Sequence, residues 1–91
     1  MSILVRFKPQ NLTKENYETA VSRLEETGDN APEGRELHVF FGDDGNLAVS
    51  EVWDSQEAFE AYGEKLMPVL ADIGIEAGEP EVLAVHNTIV R

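Results

Sequence analysis

The sequence has no cysteine, so no disulfide can staple the fold. That absence fits the reducing interior of a cell, and a cytoplasmic protein is expected. Cationic side chains are scarce. Seven Lys and Arg stand against eighteen Asp and Glu, a net charge of −11, and only Lys65 and Arg91 follow Arg35. Such a field repels phosphate backbones and anionic membrane surfaces, so neither nucleic acid nor membrane is expected as a partner. The acidity itself serves solubility. No stretch approaches the roughly 20 apolar residues that a membrane span needs. The opening "MSILVRFKPQN" puts its apolar residues before its basic ones, the reverse of a signal peptide.

Chemical motifs are few as well. There is no Gly-rich phosphate loop, because "GDDGN" is followed by a strand pattern and not by a helix. The histidines are His38 and His86, with no HxH or HExxH spacing, so neither metal nor cofactor is expected. Ser22, Ser50 and Ser55 lack the surroundings of a nucleophile.

What remains is a chain of 91 residues, enough for one domain, with 42% hydrophobic and 27% charged residues, the balance of a folded globule. A chain this short buries only about 60–65% of its unfolded surface, so its core is thin and a partner subunit would supplement it. "ILVRF", Ile3 to Phe7, is β-branched and aromatic and stops before Pro9, reading as a first strand. The period then changes. Tyr17, Ala20, Val21 and Leu24 form one helical stripe, with Thr13 as N-cap, Leu12 as a staple onto Tyr17, and Gly28 as the stop. After the loop "GDNAPEG" come two strands, "ELHVFF" and "NLAVSEVW", round a tight turn.

A type I turn over Asp43 and Asp44 with a bulge at Gly45 pairs Phe41 with Leu47 and Val39 with Val49. This register is preferred because it segregates apolar side chains, gathering Leu37, Val39, Phe41, Leu47, Val49, Glu51 and Trp53 on one face. The rival, a two-residue turn at Asp44 and Gly45, sets His38 opposite Glu51 and flips one strand relative to the other. A second helix opens at Asp54, with Glu57 completing a capping box, or at Ser55; Phe59, Tyr62 and Leu66 line its inner stripe. Pro68 predicts a kink or restart near Met67, and Gly74 ends a second short helix. "EVLAVHNTIV", Glu81 to Val90, is the fourth strand.

The order β-α-β-β-α-β, with right-handed crossovers, predicts a ferredoxin-like α+β fold over residues 1–91, with strand order 4-1-3-2 and both helices on one face. The strands do not alternate cleanly between apolar and polar, so the face without helices is also apolar. The economical cover is a second copy stacked sheet to sheet, and a homodimer is expected.

The element order, the paired-sheet argument and the junction "EVWDSQEAFEAY" (Glu51 to Tyr62) resemble the dimeric α/β-barrel superfamily, in its antibiotic-biosynthesis-monooxygenase-like branch. The resemblance implies homodimers with a pocket between each sheet and its own helices. It also implies a tryptophan lining that pocket, the place of Trp53, with an asparagine four residues earlier on the same face, where this chain has Val49. Relatives that degrade haem carry a histidine on the second helix, where this chain has Tyr62. Glu51 is the oddest polar residue, a carboxylate among apolar neighbours that could serve as a general base beside Tyr62 or His86. The expected pocket residues are Phe41, Glu51, Trp53, Phe59, Tyr62 and His86, with Trp53, Glu51 and Tyr62 as the catalytic candidates. Three functions fit: a binder of a small apolar or aromatic ligand, a cofactor-independent monooxygenase acting on an aromatic or quinol, and a non-catalytic structural dimer.

Overall fold

A computed structural model describes residues 2–90. Its elements run β1 (Ile3–Phe7), α1 (Lys14–Thr27), β2 (Arg35–Asp43), β3 (Asn46–Trp53), α2 (Gln56–Ile73) and β4 (Glu81–Ala84). The strands form one antiparallel sheet in the order β2-β3-β1-β4, the ferredoxin-like arrangement expected from the element order. No described helix is long and apolar enough to cross a membrane.

Both helices start and stop where the chemistry demands. The Thr13 hydroxyl accepts from the Asn16 N–H at 3.0 Å, and the Asn16 side-chain oxygen accepts from the Thr13 N–H at 2.7 Å, a reciprocal cap. At the other end Gly28 is left-handed, and the N–H groups of Gly28 and Asp29 return to the carbonyls of Glu25 and Leu24. Helix α2 is capped by Ser55, the second of the two expected caps, whose hydroxyl accepts from the Ala58 N–H at 3.1 Å. It runs unbroken through Pro68, contrary to the expected restart. Pro68 and Glu64, whose carbonyl loses its partner there, are both exposed, on the side of the helix where solvent can replace the lost donor.

The β2–β3 hairpin corrects the preferred register. Asp43 pairs with Asn46 across the two-residue connection Asp44 and Gly45, and Gly42, Phe41, Phe40, Val39 and His38 face Leu47, Ala48, Val49, Ser50 and Glu51. Gly42 at φ +113° and Gly45 at φ +86° supply backbone conformations that side chains rarely adopt. The physical reason for this register lies at its far end, where it closes a hydrogen-bonded pair between His38 and Glu51 and lays Phe40 under Tyr17. The cost is that Leu37, Val39 and Phe41 leave the core for the outer face and are exposed. An irregularity at Glu36 shifts the pairing between Arg35 and Leu37. With this extra residue, Arg35 and His38 lie on the same side of the sheet, although three apart.

The core lies between the sheet and the two helices. Val5 and Trp53 are fully buried, joined by Ile3, Phe7, Leu24 and Tyr62. Trp53 stands edge-on to Phe59 at 5.7 Å and tilted against Tyr62 at 5.5 Å, contacts that add to the large area an indole buries. Strand β4 stops at Ala84, short of the expected Val90; one further hydrogen bond, Val85 N–H to the Ser2 carbonyl at 3.0 Å, prolongs it.

Candidate functional site

Glu51 is the organising residue. It projects from the middle of β3 toward the helices and is only 3% exposed. A buried carboxylate is costly unless its oxygens are satisfied. Here one oxygen, Oε2, accepts from His38 Nδ1 at 2.6 Å and from Arg35 Nη1 at 3.3 Å. The other, Oε1, accepts from the Trp53 indole N–H at 3.1 Å. The opposite nitrogen of the imidazole, His38 Nε2, lies 2.6 Å from the Tyr17 hydroxyl. When the imidazole is neutral and donates from Nδ1 to the carboxylate, Nε2 is left as an acceptor and Tyr17 donates to it. A continuous line therefore runs from Tyr17 through His38 to Glu51, flanked by the Arg35 cation.

Each member is fixed by its element. The α1 cap sets the helix phase that brings Tyr17 down onto Phe40, ring to ring at 3.8 Å and 7°. Arg35 follows Gly34, whose φ of +92° and close approach to Ala58 and Asp54 leave no room for a side chain. The Arg35 guanidinium also donates to the Asn30 carbonyl at 2.7 Å and sits 5.9 Å from the centre of the Tyr62 ring. Tyr62 donates to the Asp29 carbonyl at 2.7 Å, holding the loop that leads into β2. Burial pushes the Tyr17 hydroxyl above its ordinary pKa; Arg35 opposes the shift and Glu51 reinforces it. Burial raises Tyr62 in the same way.

These side chains form the polar end of a cavity of about 210 Å³ between the sheet and the helices. The remaining wall is largely apolar, with Phe7, Leu12, Leu24, Val49, Leu66 and Leu70 among its residues. Of the residues singled out in the sequence, Glu51 and Tyr62 line this cavity. Trp53 stands behind Glu51, fully buried, and Phe59 packs on Trp53; neither reaches the wall. Two do not join the site. Phe41 projects from the opposite sheet face because of the hairpin register, where it lines a broad concavity with Arg6, Lys8 and Ala48. His86 is exposed beyond the end of β4.

Sequence reasoning missed Tyr17, Arg35 and His38 as site residues. The available signal was the rival hairpin turn, which places His38 opposite the anomalous Glu51. No three His, Cys, Asp or Glu side chains converge as metal ligands among the described residues.

No family model matches the chain, and no curated protein is similar to it in sequence. Its structure matches known ones end to end. A protein of Chloroflexus aurantiacus named as a candidate antibiotic biosynthesis monooxygenase superposes with a TM-score of 0.65 at 20% identity, covering 100% of both chains. The fold is that of the antibiotic biosynthesis monooxygenase-like proteins. A second such monooxygenase-like structure, from Deinococcus radiodurans, matches at 13% identity with a TM-score of 0.61, covering 100% of this chain and 98% of that one. SnoaB, a cofactor-independent oxygenase from Streptomyces nogalater, matches at 16% identity with a TM-score of 0.62, covering 99% and 96%. At these identities the likeness to monooxygenase-like structures establishes the shared backbone and leaves the chemistry to this chain's own side chains.

Proposed function

We propose that this protein binds a compact, largely apolar or aromatic ligand between its sheet and its own helices. The observation that carries the reading is the 210 Å³ cavity, apolar along most of its wall and polar at one end. Cavities of this make-up bury an apolar body and orient it by a few convergent hydrogen-bonding groups. Binding of 1-naphthol, followed by quenching of the single tryptophan, tests it. Saturable quenching is expected, weakened at least tenfold by Ala20→Phe, which puts a ring into the cavity without adding a second tryptophan; no binding by any member of a small phenol and naphthol panel overturns the reading.

We further propose that the working form is a homodimer joined through the outer sheet face. Leu37, Val39, Phe41 and Leu83 are 40–52% exposed there, an apolar patch on an otherwise strongly acidic chain. Native mass spectrometry at micromolar concentration is expected to give the dimer, and a stable monomer overturns it.

A second reading, cofactor-independent oxygenation of an aromatic or quinol, is favoured by the Tyr17–His38–Glu51 line at the polar end and by the fold shared with SnoaB. Its test is oxygen uptake with dihydroxynaphthacene-type substrates. Uptake abolished by His38→Gln supports it, and the absence of uptake across a diverse panel refutes it.

A further inference from the structure

The cavity's polar end has more order than ligand binding alone requires. Tyr62 spends its proton on the Asp29 carbonyl, and both oxygens of Glu51 already accept from His38, Arg35 or Trp53. Tyr17 differs: it is a half-buried residue of the cavity wall, and beside a neutral imidazole its hydroxyl donates to His38 Nε2, so its oxygen still has a lone pair to offer. We infer that Tyr17 and His38 form a two-residue general base for an acidic hydroxyl, a phenol or enol, on the ligand, with Glu51 as the positioning residue. This deepens the ligand-binding reading above and rests on it.

The proton step balances without a co-reactant. The ligand O–H bond breaks and its proton passes to the Tyr17 oxygen. The Tyr17 O–H bond breaks in turn, and that proton forms an N–H bond at His38 Nε2. The products are a ligand oxyanion and an imidazolium, and no electrons change hands. Glu51, 2.6 Å from Nδ1, holds the tautomer that leaves Nε2 free and then pairs with the imidazolium, the arrangement that lets a carboxylate support a histidine base. Burial, by holding Tyr17 above its ordinary pKa, keeps it a neutral carrier and not a resting tyrosinate. The charged and titratable groups that share the cavity wall with the imidazole come from every neighbouring element: Tyr17 and Glu25 from α1, Arg35 from β2, Glu51 from β3 and Tyr62 from α2. Arg35 adds positive charge at the end where the oxyanion forms, which favours ionisation of the ligand.

The test uses 4-nitrophenol, which turns yellow on ionising and is small enough for the cavity. Its absorbance is titrated against pH, free and bound, with the full-length protein and three variants. In the unaltered protein the half-ionisation point of the bound probe is expected to fall by about one pH unit, a tenfold gain in the ionised to neutral ratio. His38→Gln and Tyr17→Phe are expected to bind the probe and return that point to its free value. Glu51→Gln, which keeps the shape but removes the counter-ion, is expected to lose the shift as well, with the buried tryptophan's fluorescence confirming that the variant is folded. A bound probe that stays neutral in the unaltered protein, or a shift unchanged in both His38→Gln and Tyr17→Phe, overturns the base and leaves the cavity reading intact. No binding at any pH overturns both.

Discussion

Replacing Arg35 with methionine keeps the stem that packs beside Tyr62 and removes the cation from a nearly buried carboxylate. The Arg35 and Glu51 side chains are 17% and 4% exposed, and their closest atoms are 3.3 Å apart. A hydrogen bond to a charged group contributes about 1.5–3 kcal/mol. Stripping one partner from a fully buried ion pair costs about 3–5 kcal/mol. Here His38 and Trp53 still donate to Glu51, and Arg35 keeps some contact with water, so the cost falls at about 2 kcal/mol. The second bond of Arg35, to the Asn30 carbonyl, adds little because Asn30 is exposed and water replaces the donor. Urea unfolding followed through the single, fully buried tryptophan measures this directly. With a slope of about 1–2 kcal/mol/M, the midpoint should drop by about 1–2 M. The decisive arm is a double-mutant cycle with Glu51→Leu. Once the carboxylate is gone, Arg35→Met should cost far less, leaving a coupling of about 1–2 kcal/mol. A single-mutant loss below about 0.5 kcal/mol, the range of ordinary surface changes, or additive effects in the cycle, would refute the reasoning.

Alkaline unfolding should report the two shifted tyrosines. Tyr17 and Tyr62 both lie above the ordinary value of 10.0 in the fold, so their contribution to stability is complete below that pH and is lost as pH rises through their folded values. Tyr17→Phe should flatten the fall of urea stability above about pH 10, and an unchanged slope would contradict it. Glycine substitutions should separate space from backbone conformation. Gly34→Ala meets Ala58 Cβ at 2.7 Å as well as an unfavourable φ, and should lose more than about 2 kcal/mol, whereas Gly28→Ala, with nothing within 4 Å, should lose only about 1 kcal/mol; equal losses in thermal melts would show that the crowding at Gly34 is relieved elsewhere. Val39→Glu, on the exposed outer face, should leave the monomer's stability nearly unchanged but abolish the proposed dimer in native mass spectrometry.

The element order, the α1 cap at Thr13, both glycine stops and the inner stripe of Tyr62 were legible because each depends on residues a few positions apart. The hairpin register was not. Segregating apolar side chains favours Val39 and Phe41 in the core, and the pairing of one buried carboxylate with one histidine outweighs that preference. Glu51 could be recognised as out of place, and the rival register set His38 opposite it, but Arg35 could not be added, because a period of two puts Arg35 and His38 on opposite faces. Only the extra residue at Glu36 reunites them, and no local composition announces it. Tyr17 reads as one more core residue of its helix until the strand beneath it is known to present an imidazole.

That extra residue at Glu36 makes strand β2 read in two frames. Deleting it would barely alter composition or hydropathy, yet would swing the Arg35 guanidinium out to solvent and strand Glu51 with one cation fewer. For the same reason, an ungapped superposition of this segment on a relative with a straight strand would match the wrong side chains upstream of the irregularity. A homologue that has lost the arginine could then be mistaken for one that has kept it.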